Sequence, residues 1–127
     1  GEFDGVDPVT RAGARIGNVV AIAGELGVAK RGLDILFERA VRADGTIDVA
    51  DVARAWASNP VEVSAQLRPA PPIAAGRLAA LGGATAMMDV SDGLVGDLTK
   101  MMRASGVGAR VELARVPVPA ARLLVSC

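Results

Sequence analysis

Asp89-Val90-Ser91-Asp92-Gly93-Leu94 places two carboxylates and a hydroxyl within four residues of one another. Carboxylates can hold magnesium, and magnesium travels with phosphate. Helix N-termini offer unpaired N–H groups and a positive dipole end, which suit the same ligand. A structural reading stands beside this one. Ser91 is a good N-cap, and Asp92 in a first turn is favourable on dipole grounds alone. Asp89 has no capping duty at the end of an apolar run and needs a partner, for which a cation would serve. Gly93 lets a ligand approach the backbone.

The elements around this cluster follow from patterning. Ala84 to Met88 reads as a strand leading in. Leu94, Leu98, Met101 and Met102 give a helix leading out, and Gly106 ends it. Asp97, one turn on, is a candidate supporting acid or an ordinary surface one. Upstream, Val19 to Ala23 reads as a buried β-branched strand after the Gly17-Asn18 turn. A helix is expected from Val28 to about Arg42, with Leu33, Leu36, Phe37, Ala40 and Val41 on one face. Ala43-Asp44-Gly45 stops it. Asp48 should cap a second helix, with Asp51 at N3 and Val49, Val52, Ala53 and Trp56 on its inner face. Trp56 reads as core. Asn59-Pro60 breaks that helix, and Val61 to Leu67 adds two turns. A short helix spans Ile73 to Leu81, and Ala109 to Leu113 alternates as a strand. Val116-Pro117-Val118-Pro119 is extended, and Ala120 to Val125 starts a further element.

Composition narrows the classes. The 127 residues suit one domain, are 51% hydrophobic and carry 14 basic and 14 acidic side chains. With no basic excess and 2% aromatics, nucleic-acid binding loses most of its support. No apolar run approaches the roughly 20 residues that span a bilayer. The absence of histidine excludes Ser-His-Asp and Cys-His catalysis and the usual zinc sites. The single cysteine, Cys127, fits a reducing, cytoplasmic setting. Gly1-Glu2-Phe3 reads as a cloning scar, making 1–8 a lead-in and 9–127 the domain.

Other polar groups have two readings each. Gly24-Glu25-Leu26-Gly27 is a faint phosphate loop or a plain turn, matching neither Walker A nor GxGxxG. Lys30-Arg31 sits against the dipole in a first turn, as an anion contact or a solvated pair. Arg68, before a proline-rich connection, aims at an anion or is a surface arginine.

Four pieces in order resemble the thiamine-monophosphate kinases, of the aminoimidazole ribonucleotide synthetase superfamily. They are Val9-Thr10-Arg11-Ala12-Gly13-Ala14-Arg15, the Val20–Leu33 segment, Leu67-Arg68-Pro69-Ala70-Pro71, and Asp89–Leu94 followed by Ala104-Ser105-Gly106-Val107-Gly108-Ala109. The Val20–Leu33 segment is similar to the family's Gly-x-Leu-Gly-x-Ser-x-x-Gly-Leu. The resemblance implies an α+β fold, a small mixed β-sheet covered by helices. It also implies ATP-dependent phosphoryl transfer to thiamine monophosphate, giving thiamine diphosphate. Carried over, Asp92 is the catalytic carboxylate; Ser91, Asp92 and Gly93 bind nucleotide phosphate; Asp89 and Asp92 bind Mg2+.

Departures are visible. Gly17-Asn18 stands where the family often has Gly-Asp, and Val28-Ala29 where it often has Asp-Ser. The family's Gly-Asp-Asp-rich magnesium loop and its Glu-Asp-Tyr-Glu motif are absent. The chain therefore reads as a piece truncated at both ends, inactive by itself and prone to homodimerise through an open sheet edge. The alternatives are another ATP-using enzyme of the superfamily, of hydrogenase-maturation or selenophosphate type, and a non-catalytic domain with that fold.

Overall fold

Gly27, at φ 84°, turns the chain into the first helix, α1 (Val28–Ala40). A tight hairpin follows. Val41 and Ile47 form an antiparallel bridge, and Gly45 at φ 82° makes the reversal. Asp44 Oδ1 accepts from Thr46 N–H at 2.9 Å and from the Thr46 hydroxyl at 2.7 Å. Asp48 then caps α2 (Val49–Ser58), accepting from Ala50 N–H at 2.8 Å. The reciprocal half of a capping box is not made. Asp48 N–H donates to the Ala40 carbonyl at 3.1 Å, and Asp51 pairs with Arg54 instead. Pro60 occupies the first position of α3 (Pro60–Leu67), where its missing N–H costs nothing. Then come α4 (Ile73–Leu81), α5 (Leu94–Ser105) and a 3₁₀ turn over Leu113–Arg115.

The computed structural model describes residues 5–116, which form two compact units. The expectations of a cloning scar at 1–3, an extended Pro117-Val118-Pro119 and a further element at 120–125, and Cys127 itself, lie outside the described residues.

Residues 25–71 hold α1, α2 and α3 around Ile35, Ala55 and Val63, with Leu36 and Trp56 packed alongside. The inner face of α1 is centred differently from the apolar stripe. Gly32, Ile35 and Ala40 are buried, whereas Phe37 is 59% exposed. The reason is Gly32: a Cβ there would overlap the Glu62 carbonyl oxygen and lie 2.6 Å from its carbon. α3 is drawn onto the glycine, and the buried stripe follows the contact rather than the largest side chains. On α2 the buried residue is Ala55, with Val49 exposed. Trp56 is half-buried against the core, and its Nε1 donates to Ser64 Oγ at 2.9 Å. The Arg68 guanidinium lies 4.7 Å above its ring, which gives that arginine a structural partner. Lys30 pairs with Asp34 one turn on, the solvated reading of that residue.

Residues 5–24 and 72–116 hold α4 and α5. The segments read as strands, 19–23, 84–88 and 109–113, are irregular, so the mixed sheet is not formed among the described residues. Extended segments persist as strands only when neighbours satisfy their backbone groups. Here the one ladder-like tie near them is Met87 N–H to the Thr10 carbonyl at 2.8 Å, and Val19 is 90% exposed. The close passage of residues 10–14 is held from α5: Ser105 Oγ accepts from Gly13 N–H and Ala14 N–H, each at 3.1 Å. Gly13, at φ 133°, is needed there, because a Cβ would overlap the Thr85 carbonyl oxygen.

The hairpin and cap give the first testable consequence. Asp48 is held below the usual carboxylate range chiefly by Ala50 N–H, and Asp44 by the Thr46 hydroxyl. A depressed folded-state pKa adds stability that is complete above the ordinary carboxylate range. That stability is lost as pH falls through the depressed values. The Ala50 and Thr46 amides should therefore lose exchange protection on acidification, once intrinsic exchange rates are corrected for, before the Ile35–Val63 core opens. Simultaneous loss at both places would contradict this.

Candidate functional site: the loop before α5

The loop 89–93 owes its shape to Gly93 and Asp97. Gly93 is the N-cap of α5, at φ 97° and ψ 156°, a combination open to glycine. Ser91, read as the cap, instead lies two residues before it. Asp92 lies outside the helix, and the first-turn acid is Asp97. Asp97 N–H makes an opening helical bond to the Gly93 carbonyl at 3.0 Å. Its side chain then turns back past the cap. Oδ2 accepts from Ser91 N–H at 2.9 Å and from Asp92 N–H at 2.8 Å. Oδ1 accepts from Lys100 Nζ at 2.7 Å.

Asp97 is 1% exposed, yet fully partnered. The Lys100 ammonium, then the Asp92 and Ser91 N–H groups, hold its carboxyl below the usual range against the pull of burial. Lys100 is raised in turn, first by Asp92 and then by Asp97. Its Nζ bridges Asp97 Oδ1 and Asp92 Oδ2, joining the helix to the loop.

The structure brings Ser91, Asp92 and Gly93 together at the start of α5, with the Asp92 side chain 67% exposed and fixed by Lys100. Asp89 is exposed and precedes them in an irregular segment. Among the described residues, no group of three or more His, Cys, Asp or Glu side chains is placed to hold a metal ion. Two N–H groups that a phosphate could have used, those of Ser91 and Asp92, are spent on Asp97. What remains for a ligand is the Ser91 hydroxyl, two exposed carboxylates and the opening turn of α5, which has no side-chain cap.

Lys100 has no part in the sequence reading, where Asp97 is a candidate supporting acid or an ordinary surface one. The signal was available. Asp97 lies three residues after Leu94 and four before Met101, on the apolar face of the helix. A carboxylate on that face must be buried with partners, and a lysine three residues on is one of them.

A profile of the family described as AIR synthase related protein, C-terminal domain, matches residues 15–125. The chain belongs to this family. Among curated relatives, the thiamine-monophosphate kinase of Mycobacterium tuberculosis (strain ATCC 25618 / H37Rv) is 39% identical over 122 residues, covering 96% of this chain and 31% of its own length. That of Escherichia coli (strain K12) is 36% identical over 109 residues, covering 86% and 30%. That of Methanospirillum hungatei JF-1 is 34% identical over 113 residues, covering 89% and 32%. The chain thus spans about a third of the length of these relatives. No solved structure matches it. In this AIR synthase-related C-terminal chain, no helix of the described residues is long and apolar enough to cross a membrane.

Proposed function

We propose that this chain is part of a thiamine-monophosphate kinase, which transfers the ATP γ-phosphoryl group to thiamine monophosphate and releases thiamine diphosphate. The observation that carries the reading is the loop 89–93, held in a fixed conformation with two carboxylates and a hydroxyl left exposed at the mouth of α5. The kinases named above, matched over most of this chain, support it.

Magnesium is compatible with these donors. It keeps several waters and takes one or two carboxylates together with substrate phosphates, so Asp89 and Asp92 suffice as the share of this chain. When bound, it neutralises charge on the transferring phosphoryl group. Asp92 is already oriented by Lys100 and so meets a nucleotide with little reordering. The Ser91 hydroxyl donates to a phosphate oxygen, and the opening turn of α5 adds its dipole. In this reading Asp92 is the catalytic carboxylate, acting on the reacting phosphate through the magnesium it helps to hold.

The mixed sheet belongs to the same proposal. Residues 19–23, 84–88 and 109–113 pair as strands where the rest of the enzyme, or a second copy in a homodimer, supplies neighbours. The setting is cytoplasmic, in keeping with a single cysteine. The test is ATP-dependent formation of thiamine diphosphate by the full-length protein, and its absence with these 127 residues alone. Product from the full-length protein only with a different acceptor would point to a sister enzyme and overturn the assignment. Turnover by the 127 residues would refute their inactivity.

A further inference from the structure

We infer that Asp97 is a positioning residue for nucleotide binding, acting through the Ser91 and Asp92 backbone and through Lys100; the inference rests on the reading of 89–93 as the nucleotide loop. The carboxylate is 1% exposed, and each of its partners is either in the loop or is Lys100, which itself holds Asp92. A first-turn acid that served only the helix would interact with the N–H groups of its own opening turn. Asp97 instead reaches back five and six residues, beyond the cap, to the two residues that carry the exposed ligand groups. Gly93 makes this possible by turning the chain at φ 97° so that residues 91 and 92 fold over the carboxylate.

The consequence is a division of labour. The Ser91 and Asp92 N–H groups are spent on Asp97 and fix the backbone, while both residues stay exposed, leaving the Ser91 hydroxyl and the Asp92 carboxylate within reach of a ligand. Lys100 ties the two halves together: it fixes Asp92 laterally and balances the buried charge of Asp97. Groups that orient metal ligands without touching the metal commonly matter about 10–100-fold.

The experiment is steady-state kinetics of the full-length kinase carrying this sequence, with Mg·ATP and thiamine monophosphate varied separately. Asp97→Ala is expected to raise KM for Mg·ATP about tenfold or more, and to leave KM for thiamine monophosphate within about twofold. Asp97→Asn keeps an acceptor for the two N–H groups but gives Lys100 an amide in place of a carboxylate. It should raise KM for Mg·ATP about threefold, less than alanine does. A purely structural role would lower the active fraction and thermal midpoint and leave both KM values unchanged; that result overturns the inference. Where Asp97→Ala does not fold, Asp97→Asn decides by the same criterion. Asp89→Asn and Asp92→Asn run alongside. If they raise KM for Mg·ATP while the Asp97 variants do not, the inference fails and the loop assignment stands. If none of the four does, the loop assignment itself has failed.

Discussion

Gly32→Ala is expected to destabilise the α1–α3 pair by roughly 3 kcal/mol or more, the upper range of overpacking, because the added methyl meets backbone rather than a side chain that can swing away. The Cβ would overlap the Glu62 carbonyl oxygen and lie 3.1 Å from the Gln66 Cβ. Relieving it means moving α3 off α1, which opens the core around Ile35 and Val63. In thermal unfolding this amounts to a fall of more than about 10 °C. Gly76→Ala in α4 is the matched control. Its Cβ would meet only Met87 Sδ, at 3.8 Å, an ordinary contact. Alanine there should stabilise by about 0.5–1 kcal/mol, through helix propensity. The same substitution with opposite signs at two helical glycines would establish close backbone approach as the reason for Gly32. Equal effects at both would remove it.

The second large effect is on chemistry. In the full-length protein, Asp92→Asn should lower thiamine diphosphate formation roughly 10²–10³-fold, because it weakens the hold on the magnesium that offsets transition-state charge. The change keeps the size of the side chain and leaves the Asp97 bonds to the Ser91 and Asp92 N–H groups intact. The thermal midpoint should therefore barely move, so that lost activity cannot be assigned to lost fold. Full activity in Asp92→Asn would show that the charge of this side chain has no part in the chemistry.

The helices were legible because their signals are local. Asp48 as cap, Pro60 as a first helical residue and Gly106, at φ 68°, as a left-handed stop each act within one turn of chain. The strands were not, because a strand depends on a partner that patterning does not supply. Val19 to Ala23 has the composition of a buried strand, yet Val19 stands exposed among the described residues. On α1 the expected inner face holds at Leu36 and Ala40 and fails at Phe37, for a related reason. Hydrophobic periodicity weights Phe37 and Leu33, whereas the contact is set by Gly32, which carries no hydrophobic signal. At the site, the residue types that can touch a ligand were visible in Asp89–Gly93. The groups that shape the loop, Asp97 and Lys100, lie on the following helix; their signal was a carboxylate on its apolar face with a lysine three residues on, and burial of that carboxylate bears it out.

The most direct test of the account is a calorimetric titration of the full-length protein with Mg·ATP, for the unaltered sequence and for Asp89→Asn and Asp92→Asn. The account predicts magnesium-dependent binding to the unaltered protein, weakened at least about tenfold in each variant. Equal affinity in all three, with unchanged dependence on magnesium, would contradict it and leave the loop before α5 a structural turn.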